Sequence, residues 1–170
     1  MLSVKSKSEN DRFIVSVLNE LQKKKGFSMG RVAILSPVQG TQFDSGLKRI
    51  ANVLQEAGIE YECFYDDFTD ESARKIVSLA SNSKKCNLMT VHGSKGLEFD
   101  VVFLTKLQDQ MMYQQQFDRQ MLTSYNMNLI YVALTRAKES LYVLHDCDSQ
   151  SSNKHICSIL SLVPERLYLT

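Results

Sequence analysis

Bulk charge gives this chain no partner. Lysine and arginine number 20 against 19 aspartates and glutamates, a formal net charge of +1. That balance excludes the global basic signature of a protein that coats nucleic acid, so any such contact must rest on a local surface. No uninterrupted apolar run approaches the roughly 20 residues that span a bilayer, and no membrane partner is expected. Met1 to Asn10 is polar and lacks the apolar core of a signal peptide, which makes the cytoplasm the expected location. The four cysteines, Cys63, Cys86, Cys147 and Cys157, contain no C-x-x-C pair. Buried reduced thiols are the expectation. His145-x-Cys147 and His155-x-Cys157 are the nearest approach to a ligand pattern, but zinc sites seldom use that spacing, and no metal is assigned.

A phosphate-binding loop is missing too. No G-x-x-x-x-G-K-S/T occurs. In the nearest look-alike the glycines at 40 and 46 lie one residue too far apart, Leu47 separates Gly46 from Lys48, and Arg49 stands where the Mg²⁺-binding hydroxyl belongs. Asp66-Asp67 follows a strand candidate but continues into Thr69 and Asp70, which reads as a turn and helix cap. The chain is not expected to hydrolyse ATP alone.

What is present is an ordinary globular balance, 44% hydrophobic and 23% charged over 170 residues. That suits one domain over 1–170, with 146–170 a tail of uncertain packing. Phe13, Ile14, Val17, Leu18 and Leu21 recur at helical spacing before a stop at Lys23 to Gly26. Val32 to Leu35 is a short apolar strand closed by Pro37. Leu47, Ile50, Ala51, Leu54 and Ala57 form a helical stripe ended by Gly58. Tyr61 to Phe64 is a strand candidate, and Ala73, Ile76, Val77 and Ala80 mark a further helix. Leu88 to Val91 and Val101 to Leu104 are strands flanking a glycine-bearing loop. A helix is expected through Asn128 to Lys138, then a strand over Leu141 to Leu144. The tail suggests a short helix and a last strand, Arg166 to Leu169, while Gln108 to Gln120 is Gln- and Met-rich with no firm period. Alternating strands and helices, with several strands apolar on both faces, predict an α/β fold whose parallel sheet carries helices on both faces. Sites in such folds are expected at the carboxyl ends of the strands.

Two segments could carry chemistry. Thr90-Val91-His92-Gly93-Ser94-Lys95-Gly96-Leu97-Glu98-Phe99-Asp100 lies between two strands. Its glycines let backbone N–H groups approach a ligand, and Glu98 can accept hydrogen bonds from ribose hydroxyls. A solvated tight loop is the plain alternative. Asn128-Leu129-Ile130-Tyr131-Val132-Ala133-Leu134-Thr135-Arg136-Ala137-Lys138 places an arginine beside a hydrophobic helix. A guanidinium held there can bind phosphate oxygens. Without other information, a helix-end arginine pairing with a surface acid is the better explanation.

Together the two segments resemble motifs V and VI of UvrD/Rep-type superfamily 1 DNA helicases, T-x-H-x-x-K-G-L-E-F and L-x-Y-V-A-x-T-R-A. They occur in order and at a fitting separation. Val32 to Ser36 with the following helix and Gly58-Ile59-Glu60-Tyr61 looks like the motif IV region, so the resemblance covers roughly residues 9 to 145. It implies a RecA-like, three-layer C-terminal motor domain of the P-loop NTPase superfamily, without a P-loop of its own. It also implies residue roles. Arg136 would be the arginine finger, with Gly96 and Glu98 at the nucleotide sugar. Thr90, His92, Gly93 and Ser94 would touch single-stranded DNA, Tyr131 and Leu134 would pack the helix that aims Arg136, and Thr135 would orient it. The expected partners are ATP with Mg²⁺, single-stranded DNA and an N-terminal RecA-like motor domain, with 3′ to 5′ polarity.

The chain departs from the family pattern in three places. The phosphate-binding arginine of motif IV is replaced by Phe43 when counted from the strand, or by Lys48 beside Arg49 when counted back from Gly58, so either Lys48 or Arg49 takes over the ATP contact or that helix face is merely solvated. The short span from Phe64 to Leu88 leaves no room for the large accessory subdomain. Thr123 to Asn126 stands where acids often precede motif VI. A fragment or split subunit of a helicase or translocase is therefore expected. The alternatives are a UvrD-like ATPase that remodels nucleoprotein or RNA polymerase complexes, and an inactive RecA-like interaction module.

Overall fold

A computed structural model describes residues 2–5, 7–36, 46–64, 75, 78, 83–105 and 131–146. Six strands are seen, β1 (Leu2–Lys5), β2 (Val32–Ser36), β3 (Tyr61–Phe64), β4 (Cys86–Thr90), β5 (Phe99–Leu104) and β6 (Ala137–Asp146). Two helices accompany them, α1 (Lys7–Lys23) and α2 (Gly46–Glu56). All adjacent strands pair in parallel, in the order β1-β6-β5-β2-β4-β3.

That order explains the layers. The chain steps from β1 to β2 through α1 and from β2 to β3 through α2, moving one way across the sheet. It then returns through β4, β5 and β6. Right-handed crossovers put connections that run in opposite directions on opposite faces. The core divides accordingly. On one face Ile14 and Leu18 of α1 and Leu47, Ile50 and Leu54 of α2 pack against Val32, Ile34, Leu88 and Phe103. On the other, Ala133 with half-buried Leu97, Val132 and Leu134 covers Ala33, Leu35, Met89, Val102, Leu141 and Val143. Alternate residues of each strand serve alternate faces, so β2, β4 and β5 are buried end to end. Each fully buried Val, Leu, Ile, Phe or Met among them contributes about 1.5–3 kcal/mol by leaving water.

Local chemistry sets the limits of the elements. Residues 54–59 end α2 in a Schellman closure: Ile59 N–H bonds Leu54 O at 2.9 Å and Gly58 N–H bonds Gln55 O at 3.1 Å. Gly58 takes φ +68, and Ile59 and Leu54 meet in the core, which completes the motif. Within β4, Asn87 is fully buried. Its amide donates to Gly30 O at 2.7 Å and Val32 O at 2.9 Å, tying the start of β2 to the sheet.

The structure corrects three sequence readings. Val91 lies beyond β4, which ends at Thr90. The helix expected through Lys138 ends at Leu134, because residues from Ala137 join the sheet and pair with β5. β6 therefore runs ten residues rather than four. β1, unmarked in the polar N-terminus, pairs along β6 from Leu2↔Val143 to Lys5↔Asp146. Phe43, the helix marked by Ala73 to Ala80 except residues 75 and 78, Gln108 to Gln120, and the tail lie outside the described residues.

Candidate nucleotide and nucleic-acid edges

Arg136 sits in the turn that joins the helical residues 131–134 to β6. Its backbone oxygen accepts the Phe99 N–H at 2.8 Å, which fixes that turn to the start of β5. Its side chain is held from behind. Nε donates to Val132 O at 3.0 Å, one Nη to Leu97 O at 2.9 Å, and the other Nη to Thr135 Oγ1 at 3.0 Å. Thr135 in turn donates to Val132 O at 2.9 Å. A guanidinium has five N–H donors. Three are thus committed within the domain, and two are left for an oxyanion.

Leu97 ties this turn to the glycine-bearing loop. Gly96 precedes it with φ +84, a conformation that L side chains rarely adopt. Glu98 follows it, exposed and ion-paired with Lys138 at 3.1 Å. Sequence reasoning passed over Lys138 except as the end of a motif; the signal was an Arg-x-Lys spacing where a strand begins. Asp100, 4% exposed, pairs with Arg31 and belongs to the fold.

These groups lie at the amino ends of β5 and β6, not at the carboxyl ends expected of such sheets. The reason is plain: Glu98 and Arg136 each precede a parallel strand. The carboxyl end of β4 carries the other half of the loop. Thr90 Oγ1 accepts the Gly93 N–H at 3.0 Å, and a Cβ added at Gly93 would stand 3.2 Å from that oxygen. His92 is exposed beside it. Val91 N–H bonds Ser36 O, and Thr105 Oγ1 donates to Leu35 O at 3.2 Å, so hydroxyl residues close the carboxyl ends of β2, β4 and β5. Ser36 and Thr105 carried no sequence signal.

Three expected roles change. Ser94 is fully buried and its hydroxyl donates to Val91 O at 2.7 Å, so its side chain shapes the turn instead of meeting solvent. Tyr131, expected to pack, is 67% exposed, because Ala133 and half-buried Val132 and Leu134 face the core in its place. Lys48 and Arg49 begin α2, on the face opposite residues 131–134 and next to the carboxyl edge. The structure does not bring them to Arg136. Arg49 is instead ion-paired with Asp11 of α1, both about 15% exposed.

Electrostatics elsewhere concerns the fold. At β3, hydrogen bonds from Lys75 and then Lys85 hold the Glu62 carboxyl below its usual range, against desolvation. Burial pushes the Cys86 thiol up to about 12. Among the described residues, no cluster of three metal-ligating side chains occurs, and no helix is long and apolar enough to cross a membrane.

Comparison with known proteins agrees with this fold. Residues 68–146 match the family described as UvrD-like helicase C-terminal domain. An ATP-dependent DNA helicase of Acanthamoeba polyphaga mimivirus is 28% identical over 135 residues, covering 78% of this chain and 18% of the relative. A DNA helicase II homolog of Mycoplasma genitalium is 32% identical over 108 residues, 61% of this chain and 15% of the relative. The ATP-dependent DNA helicase PcrA of Staphylococcus aureus is 30% identical over 92 residues, 51% of this chain and 12% of the relative. The chain thus spans less than a fifth of these relatives. Among solved structures, the C-terminal domain of a possible DNA helicase from Lactobacillus plantarum shares the fold. The TM-score is 0.57 at 17% identity, covering 98% of this chain and 81% of that one.

Proposed function

We propose that this chain, whose residues 68–146 match the UvrD-like helicase C-terminal domain family, acts as the second RecA-like motor domain of an ATP-dependent DNA helicase or translocase. ATP and Mg²⁺ are held mainly by the P-loop of an N-terminal motor domain, and this chain closes the site from its amino edge. Arg136 is the arginine finger that reaches the γ-phosphate, and Glu98, with Gly96 beside it, receives the sugar. At the carboxyl edge Thr90, His92 and Gly93 line the path of single-stranded DNA, with Ser94 shaping the turn from inside. Such contacts go mostly to phosphate and carry no sequence information. Polarity is 3′ to 5′, and the chain is inactive without the partner domain.

The observation that supports this reading is the mooring of Arg136. Three hydrogen bonds to its own domain fix the guanidinium while two donors stay available. That is the donor set of a finger that completes a phosphate site, and not of a whole nucleotide pocket. ATP supplies the phosphoryl group, and the domain's part is to place charge where the transition state develops it. The test is Arg136→Ala in the enzyme assembled with its P-loop domain. DNA-stimulated ATPase should fall by about 10³-fold or more. Unchanged turnover would leave an inactive interaction module. Vigorous ATPase without DNA stimulation or strand displacement would favour a remodeller of nucleoprotein or RNA polymerase complexes.

A further inference from the structure

Lys138 is the one cation in contact with Glu98 among the described residues, Nζ to Oε2 at 3.1 Å. Both side chains are more than half exposed, at 53% and 60%. An ion pair so open adds little to folding, which turns attention to what it does for the carboxylate. The backbone around it is fixed on both sides. Phe99 N–H is bonded to Arg136 O, the Arg136 guanidinium to Leu97 O, and Phe99 pairs in register with Ala137. Glu98 and Lys138 therefore face each other from adjoining positions, Lys138 lying two residues beyond Arg136 where the β5–β6 register shifts.

We infer that Lys138 is a positioning residue: it holds one oxygen of Glu98 so that the other is turned to accept a ribose hydroxyl, and it thereby sets the preference of the site for ribonucleotides. The inference rests on the proposed role of Glu98 at the sugar. A glutamate free to rotate must give up rotamer freedom on binding, and the pair with Lys138 removes part of that loss beforehand. When the partner domain closes and water leaves, the charge-assisted contact strengthens. Lys138 does not replace Glu98, because an ammonium donates hydrogen bonds to the sugar oxygens but accepts none.

The test compares ATP with 2′-deoxy-ATP as substrates of the assembled two-domain enzyme. Glu98→Gln comes first. It should reduce the ratio of kcat/KM for ATP over 2′-deoxy-ATP, and an unchanged ratio would sink the reading of Glu98 itself. Given that reduction, Lys138→Gln should lower the same ratio by about 2- to 5-fold, the range of an exposed pair, acting through KM more than kcat. Lys138→Arg should restore the ratio. In Glu98→Gln, adding Lys138→Gln should change it no further. An unaltered ratio in Lys138→Gln would reduce the pair to a surface contact and overturn the inference. An equal rise in KM for both nucleotides would overturn it as well, by making Lys138 a cation for the phosphates.

Discussion

Replacing Gly96 by alanine separates backbone strain from side-chain contact at the proposed nucleotide edge. Gly96 and Gly58 both hold left-handed backbone, φ +84 and +68, and at neither would a Cβ meet any atom within 4 Å. The cost of either substitution is therefore conformational, about 1–2 kcal/mol. A gain of about 0.4–1 kcal/mol from the stiffer unfolded chain offsets part of it. Each variant should lose about 0.5–1.5 kcal/mol, a fall of roughly half a molar in the urea midpoint. Their effects on turnover should differ. Gly58 closes α2, far from the motif loop. Gly96 is bonded to Leu97, whose oxygen holds the Arg136 guanidinium at 2.9 Å. Strain relieved at Gly96 moves that oxygen and the Arg136 guanidinium with it, and at the proposed finger a misplacement of about 1 Å can cost about 10²-fold. The assays are urea denaturation and DNA-stimulated ATPase of the assembled enzyme. Gly96→Ala should lose activity and Gly58→Ala should keep it, at matched stability. Equal activity in the two variants would refute the argument that Leu97 moors the finger.

The α2 cations and the β3 edge give two further predictions. Arg49→Ala should cost about 1–3 kcal/mol by removing the cation paired with part-buried Asp11, while Lys48→Ala, at an exposed position, should cost under about 0.5 kcal/mol. Neither should raise KM for ATP, and a rise in either would restore the expectation that α2 supplies a phosphate contact. Glu62 is held below the usual carboxylate range, first by the Lys75 hydrogen bond. A depressed folded-state carboxyl stabilises above its unfolded pKa, and that contribution is lost as pH falls through the folded value. Denaturation midpoints should show native protein ahead of Glu62→Gln by under about 1 kcal/mol at neutral pH, the two converging as pH falls below the usual carboxylate range. A gap that persists in acid would point to packing instead of charge.

Much of the fold could be read from short apolar runs. Val32 to Leu35 and Val101 to Leu104 are buried on both faces, and only a covered parallel sheet accounts for such strands. The C-terminal stop of α2 was visible as Gly58 because few other residues take that backbone. β1 was not visible, since its residues gain strand structure from pairing with β6 and not from their own pattern. The helix end at Leu134 was hidden for a related reason. Ala137 and Lys138 are good helix formers, and the tertiary pairing of Phe99 with Ala137 overrides that preference. At the site, the motif residues were legible as a set, but their edges were not. Spacing told which side chains accompany Arg136 in sequence; only topology could tell that Thr90 and Glu98, eight residues apart, stand at opposite ends of the strands.

That separation has a consequence for coupling. β4 and β5 run parallel, so the end of one and the start of the other lie about 15–20 Å apart along the sheet. Residues 91–98 cross the gap as a braced turn. Gly93 N–H is bonded to Thr90 Oγ1, Ser94 to Val91 O through both its N–H and its hydroxyl, and Leu97 N–H to Ser94 O. Buried Ser94 and Val91 leave that turn little room to deform. A segment built this way transmits displacement instead of absorbing it. If DNA phosphates move Thr90 to Gly93, the shift arrives at Leu97 O and Glu98, which hold the Arg136 guanidinium and form the proposed sugar contact. Softening the middle should therefore uncouple the ends. Ser94→Ala removes a buried hydroxyl donor and leaves the Val91 carbonyl with one bond fewer. On this argument it reduces DNA stimulation of the ATPase more than the ATPase measured without DNA, whereas a turn that merely fills space would lower both in proportion.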